Sequence, residues 1–382
     1  TMLINYISNL MATRRKLFLT KTHTALQNLK RRIENPGVSA DFVSIDSFTK
    51  RIELPDYDII FIDECSAIDN RAMFKFLSKI KPNTFLVLAG DIYQLESINF
   101  GNWFFYAKDV IKTKGANIEL LNTWRTKDET LISLWNEVRT RDELIIEKLA
   151  MDGSFSKDIG PDMFMKEEAD EVVLCLNYDG KFGLNNINNY FQSANKQGEA
   201  VLWQEWSYKK GDPILFNDTK RFSTLYNNLK GRITEINKEE NNISFTIDVE
   251  TILTEMDCQK DGLDFIDVAE NSTRIRFTIY TYEGNESEEN EETLRMESVI
   301  PFQLAYAVSI HKAQGLEYDS VKVIIPNNNS EKITHGVFYT AITRAKKKLK
   351  IYWSSETMKE VVESFSINES KRKSLEIVKS KL

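Results

Sequence analysis

Cysteine is scarce in this sequence, and membrane-length apolar runs and an excess of basic charge are missing from it. Cys65, Cys175 and Cys258 are its 3 cysteines. They are widely scattered and in no metal-ligand spacing, as fits a reducing, cytoplasmic setting. No apolar run approaches the roughly 18 residues that a membrane span needs. The opening Thr1-Met2-Leu3-Ile4 lacks the basic n-region of a signal peptide. Positive charge is outnumbered, with 50 Lys and Arg against 57 Asp and Glu and a net charge of −7. That total does not by itself suggest a nucleic-acid partner, although a local basic channel binds phosphates whatever the sum. What remains, 42% hydrophobic and 28% charged residues over 382 positions, describes an ordinary globular protein with room for two or three domains. A cytoplasmic monomer with no membrane contact is expected.

The most informative stretch is Asp58-Ile59-Ile60-Phe61-Ile62-Asp63-Glu64. Its apolar run reads as a strand buried on both faces, as parallel-sheet strands are. Two carboxylates follow at the carboxyl end, where open α/β sheets bind ligands. An Asp there can hold Mg²⁺ on a nucleotide phosphate, and the next Glu can orient an attacking water. A strand ending in a solvated turn is the bland alternative. A second apolar run, Phe85-Leu86-Val87-Leu88, ends in Ala89-Gly90-Asp91 and is followed by Gln94, placed to reach across the same sheet edge.

At this point the chain resembles the superfamily 1 DNA helicases, and among them the RecD-like branch of 5′→3′ type. Asp63-Glu64-Cys65-Ser66-Ala67-Ile68-Asp69 is similar to their Walker B motif, and the segment Gly90 to Gly101 to the motif whose Gln senses the γ-phosphate. Ser309-Ile310-His311-Lys312-Ala313-Gln314-Gly315-Leu316-Glu317 resembles motif V, and Phe338 to Ala345 resembles motif VI. Four motifs in the family's order cover most of the chain. The resemblance implies an α/β fold of two RecA-like parallel-sheet motor domains, residues 1–120 and 121–208 with 299–382. A small SH3-like all-β insertion would occupy 209–298, where short alternating strands stand between turn residues. Its acidic stretch from Glu283 to Glu292 reads as a solvated connection.

The resemblance also assigns roles. Asp63 would hold Mg²⁺, Glu64 would activate water, and Gln94, Arg125 and Arg344 would grip the γ-phosphate of ATP, Arg344 as an arginine finger. Trp124 would line the base pocket, Gln314 and Gly315 would lie near the phosphates, and Glu317 would hold the ribose. Single-stranded DNA would run past Thr20, Lys21, Thr22 and His23, past Ser47 and Phe48, and past Ser309, His311 and Lys312. A Thr-rich turn that merely caps a helix competes with the first of these. Surface charge competes at Lys220, Arg221, the Lys346–Lys348 run and the tail from Lys371. For Phe100, Trp103, Phe104, Phe105 and Tyr106, base stacking competes with a core plug.

Two absences bear on activity. No G-x-x-x-x-G-K-[ST] phosphate loop occurs in the 382 residues. The expected reading is a truncated form that lacks this loop and the strand before it, with Thr1 just past the loop's Lys-Thr and at the nucleotide. These 382 residues alone should then bind ATP poorly and not hydrolyse it, which an ATPase assay checks. Between Ile33 and Phe42 there is room only for a turn, so a strand-splitting pin is not expected there. The function implied is an ATP-dependent helicase or translocase on single-stranded DNA, serving repair, recombination or replication proteins. An RNA-directed helicase of the same superfamily and a nucleic-acid-binding scaffold with a lost ATPase are the alternatives.

Overall fold

The two apolar runs become parallel strands, β3 (Ile59–Ile62) and β4 (Phe85–Leu88), and join β1 (Lys16–Thr20) and β2 (Ala40–Ser44) in the order β2-β1-β3-β4. The computed structural model describes residues 2–365 and 375–377 with 379–380, apart from 35, 38, 53–54, 98, 100, 112, 114, 142–144, 152–154, 218–220, 282–296 and 328–332. Thr1, Phe100, Lys220, the acidic stretch 283–292 and Lys371 therefore lie outside the described residues. Two compact units emerge. One comprises Thr1–Asp158, Gln314–Glu317 and Lys332–Leu382, the other Ile159–Ala313 and Tyr318–Glu331.

In the first unit the strand centres are mostly apolar because helices cover both faces of the sheet. Phe18 pairs with Phe42 on one side and Phe61 on the other, and the three rings stack at 4.6 and 4.9 Å. That face takes Ile4 from helix α1 (Met2–Leu10) and Leu29 from α2 (His23–Arg32). The opposite face packs Leu17, Leu19, Ile60 and Ile62 on Phe48 of α3 (Ile45–Lys50) and on Met73 and Phe76 of α4 (Asn70–Leu77). Thr22, Ser44 and Asp69 cap α2, α3 and α4 by accepting from backbone N–H groups at 3.2, 3.2 and 2.8 Å. Parallel strands and short caps bring Thr20, Ser44, Asp63 and Ala89 to one end of the sheet.

The sequence pattern misplaces the buried face of α1. Leu3, Ile7, Leu10 and Met11 form its apolar stripe, yet the buried positions are Ile4 and Ser8, and Leu10 is 69% exposed. The reason is Lys16, which is wholly buried at the start of β1. Its ammonium takes Ser8 O at 2.7 Å, Ser8 Oγ at 3.2 Å and Pro36 O at 3.0 Å. Burial alone lowers its pKa, and Ser8 is turned inward to satisfy it.

The rest of the first unit is helical around one strand, Ala345–Tyr352, which pairs in parallel with Ser156–Lys157. Helix Glu129–Thr140 meets helix His335–Ile342, where Trp135 Nε1 donates to Ile342 O at 3.1 Å. His335 Nε2 bonds Val138 O at 2.6 Å, and burial lowers its pKa, so the neutral ring is the donor. The aromatic group after Gln94 behaves as a core plug on one side. Trp103 and Phe104 pack against the core, and Trp103 Nε1 donates to Ile68 O at 2.8 Å.

The second unit holds a parallel trio, with Glu171–Cys175 between Ala307–Ser309 and Tyr318–Ile324. Beside it is a six-stranded antiparallel sheet in the order Asp264–Val268, Thr273–Tyr280, Asn242–Val249, Lys230–Lys238, Pro213–Phe216, Phe302–Leu304. Its core is aromatic: Phe245 meets Phe302 edge-on at 5.0 Å, and Phe216 meets Phe302 at 6.0 Å. The alternating strands expected within 209–298 are present in this sheet, but the segment is not all-β: it includes helix Glu255–Lys260, and the edge strand Phe302–Leu304 lies past residue 298.

A buried ion pair ties the parallel trio. Lys322 Nζ lies 2.9 Å from Glu171 Oε1, with side chains 0% and 4% exposed, and Ser320 Oγ donates to Glu171 Oε2 at 2.8 Å. Removing one partner strands the other charge. Lys322→Met is expected to cost about 3–5 kcal/mol in chemical denaturation, whereas Lys322→Met with Glu171→Leu should restore most of it.

Candidate functional site

The carboxyl end of β3 is fixed from both neighbours. Asp63 N donates to Leu19 O at 2.9 Å, Ala89 N to Ile62 O at 2.8 Å and Cys65 N to Ala89 O at 2.9 Å. Between these anchors Glu64 adopts the left-handed conformation, φ 57° and ψ 40°, which a residue with a β-carbon takes only when its surroundings enforce it. Gly90 is required here, since a β-carbon on it would stand 2.8 Å from the Phe104 ring and 3.0 Å from Cys65 N. The turn thus holds both carboxylates at the strand end, with Glu64 N donating to Asp63 Oδ1 at 3.0 Å. Burial raises the Glu64 pKa, the Asp63 charge raises it further, and Arg344 and Arg125 oppose them.

Gln94 is placed by Asp91, a residue the sequence reading left as part of a turn. Tyr93 N donates to Asp91 Oδ1 at 3.0 Å and the Gln94 amide to Asp91 Oδ2 at 3.3 Å. The next backbone N–H, of Leu95, donates to Thr340 Oγ1 at 2.9 Å, which ties this loop to helix His335–Ile342. Gly336 allows the approach, since a β-carbon there would stand 3.0 Å from Gln94 O.

Arg344 directly follows that helix and is 1% exposed. Its guanidinium donates to Thr340 O at 2.9 Å, Leu316 O at 3.2 Å and Thr343 Oγ1 at 3.3 Å. These acceptors are all neutral. Burial first, and then the neighbouring Arg125 charge, lower its pKa to about 10, although Glu64, Glu317 and Asp91 pull the other way. Arg125 Nε donates to Glu317 Oε1 at 3.0 Å and its Nη1 to Thr343 O at 2.5 Å. Glu317 also has Arg32 at 4.0 Å. Desolvation pushes its pKa up, but Arg125 and Arg32 outweigh that and leave the Glu317 pKa lowered. Asp63, Glu64, Gln94, Arg125, Glu317 and Arg344 all lie in the first unit, and the charges of Arg344 and Arg125 reach Glu64. Thr340 and Thr343, which hold the two arginines and the Gln94 loop, were not singled out from sequence. Their position in Phe338-Tyr339-Thr340-Ala341-Ile342-Thr343-Arg344 was the available signal.

Other predicted residues are less concentrated. Gly315 has φ 79°, and its carbonyl accepts from Asn28 Nδ2 at 3.2 Å, with Gln314 half-buried beside it. Trp124 is 84% exposed. Thr20 is buried and donates to Thr22 O at 2.8 Å, Lys21 pairs with Asp46 at 3.0 Å, and Thr22 and His23 are exposed at the start of α2. Ser47 is exposed, whereas Phe48 is 1% exposed and packs on Phe76 at 5.5 Å, in the core. An aromatic there anchors α3 because it lies one position past Ser47 on the helix's inner face. In the second unit Ser309 is buried, His311 is exposed and Lys312 is half-buried. Arg221 donates to Thr278 O at 3.0 Å. Among the described residues no group of three or more His, Cys, Asp or Glu could hold a metal, and no helix is long and apolar enough to cross a membrane.

Comparison with known proteins gives the class first. The AAA domain family matches residues 2–157, and the UvrD-like helicase C-terminal domain family matches 304–352. In fold, the chain is similar to Pif1 helicase from Bacteroides in complex with ADP-AlF3 and ssDNA, with TM-score 0.55, 15% identity and coverage of 100% of this chain and 97% of that one. It is also similar to Pif1 helicase from Candida albicans, with TM-score 0.53, 13% identity and coverage of 100% and 99%. The fold is that of the superfamily 1 helicases, with RecA-like parallel sheets.

Sequence likeness gives the branch. The RecBCD enzyme subunit RecD of Buchnera aphidicola is 24% identical over 378 residues, covering 81% of this chain and 56% of that protein. The ATP-dependent RecD2 DNA helicase of Deinococcus radiodurans is 20% identical over 308 residues, covering 77% and 36%. In sequence the chain is similar to these RecD and RecD2 proteins. It spans about half the length of the RecD relatives it matches.

Proposed function

We propose that the protein is an ATP-dependent DNA helicase that moves on single-stranded DNA in the 5′→3′ direction. The observation that carries this reading is the pair of arginines. Arg344 is buried with neutral hydrogen-bond acceptors, and a second guanidinium, Arg125, is near enough to depress its pKa. Glu317 pairs with Arg125, but the buried Arg344 has only neutral acceptors, and a desolvated cation beside a second one is costly unless a further anion joins it. A triphosphate is that anion, and the carboxylates at the end of β3 suit the divalent cation that accompanies it. Mg²⁺ characteristically takes one or two protein carboxylates plus phosphate oxygens, so Asp63 fits it without a larger acidic cluster.

In this reading Asp63 holds Mg²⁺, which neutralises phosphate charge when bound. Glu64, with its raised pKa, takes a proton from the attacking water. Gln94, oriented by Asp91, and Arg125 and Arg344 stabilise the charge that builds on the γ-phosphate. Glu317 acts by holding Arg125 in place, and Gln314 and Gly315 lie beside it. Lys21, Thr22, His23, Ser47, Ser309, His311 and Lys312 supply strand contacts. Division into motor domains 1–120 and 121–208 with 299–382, and an SH3-like insertion at 209–298, belongs to the same proposal. Repair, recombination or replication proteins are the partners it fits.

The test is strand separation and single-stranded-DNA-stimulated ATP hydrolysis by the full-length protein. ATP turnover that rises at least tenfold with a DNA strand is expected. Turnover indifferent to DNA, or stimulated by RNA alone, overturns the reading.

A further inference from the structure

We propose that Gln303 is a positioning residue that aims Lys312, without cancelling its charge, at a backbone phosphate of the bound strand. This rests on the single-stranded-DNA reading above. Gln303 is the central residue of strand Phe302–Leu304, at the edge of the six-stranded sheet, and pairs with Leu215. Lys312 lies in the turn after strand Ala307–Ser309, where its backbone N–H donates to Ser309 Oγ at 3.3 Å. The Lys312 ammonium donates to Gln303 Oε1. Asn217 Nδ2 approaches the same oxygen at 3.5 Å.

The pairing differs from that of two other lysines in this unit. Lys322 and Lys230, also drawn in from solvent, meet the carboxylates of Glu171 and Asp170 at 2.9 Å. Lys312 is half-buried and desolvation lowers its pKa, yet its partner is a neutral amide. A glutamate of the same length would stabilise the ammonium better, but it would cancel the charge. The Gln303 amide also gives up a bond to serve the lysine: with Oε1 turned to Lys312, its Nε2 is buried without an acceptor. A buried N–H₂ left unpaired is unfavourable, so the contact to Lys312 sets the side chain. A neutral tether on a lysine suits a site that must still present a full positive charge to an anion. On the single-stranded-DNA reading, with His311 exposed on the same turn, that anion is a backbone phosphate.

The experiment is fluorescence anisotropy of a labelled single-stranded oligonucleotide with full-length protein across a salt series. Each strand phosphate neutralised contributes about 0.7 to the slope of log affinity against log salt. Gln303→Glu is expected to weaken binding about tenfold at low salt and to lower the slope by about 0.7. Lys312→Ala should do the same, and the double variant should lose no more than either. Gln303→Leu removes the tether but keeps the charge, so the slope should hold while affinity falls about threefold. Far-UV circular dichroism confirms that each variant folds. If Lys312→Ala lowers the slope and Gln303→Glu does not, the tether proposal is overturned while the helicase reading stands. If the wild-type protein binds no strand, both fall.

Discussion

Replacing Arg344 by Ala in the full-length protein is expected to lower kcat for DNA-stimulated ATP hydrolysis by about 10³-fold or more. The reasoning is electrostatic. The guanidinium is held out of water by Thr340, Leu316 and Thr343, so it needs no reorganisation when charge develops on the transferring phosphoryl group. Lys at this position keeps the charge but cannot make the three-point contact, and should recover only a small part of the rate. Because the group is buried, thermal melting must accompany the kinetics. A folded Arg344→Ala protein with kcat within tenfold of wild type would remove the arginine from the chemistry.

The second large effect is expected at Glu64. Glu64→Gln should lower kcat by about 10²–10⁴-fold while leaving strand affinity near that of wild type. Its pH behaviour follows from the raised pKa. The base works only when ionised, so the acid limb of the wild-type rate profile should sit above the ordinary carboxylate range. Stability moves in the opposite sense. The folded protein holds a proton on Glu64 more tightly than the unfolded chain does, so stability is lost as pH rises from the ordinary glutamate value through the raised one. Glutamine never ionises, so Glu64→Gln should melt higher than wild type at neutral pH, with the gap closing toward pH 4. A variant that melts lower at neutral pH would show that Arg344 and Arg125 outweigh burial and Asp63 at this carboxylate.

Several elements could be read directly from the residues. Ile59–Ile62 is a doubly buried parallel strand because four apolar residues in a row leave no solvent face. Glu171–Cys175 and Tyr318–Ile324 follow the same logic. The alternating strands between 230 and 280 read as an antiparallel sheet because one face in two is apolar. The helix after Thr22 was legible from its cap. The stripe on α1 was not, because a buried lysine fourteen positions after Met2 draws Ser8 inward, and no local period encodes that. Nor was the fate of Phe48: a ring beside an exposed serine reads equally well as a base stacker or as core, and only its neighbour Phe76 decides.

What the sequence determined by itself was the chemistry available: carboxylates at a strand end, a glutamine after a Gly-Asp turn and two arginines far along the chain. Those identities and their order are local facts, set by which side chains can ionise and which runs must be buried. The tertiary structure alone decided that Asp91 orients Gln94, that Thr343 and Glu317 seat Arg125, and that Arg344 is buried beside it. Each of those relations joins residues separated by a turn or by some two hundred positions, and hydrogen bonds and desolvation depend on distance in space.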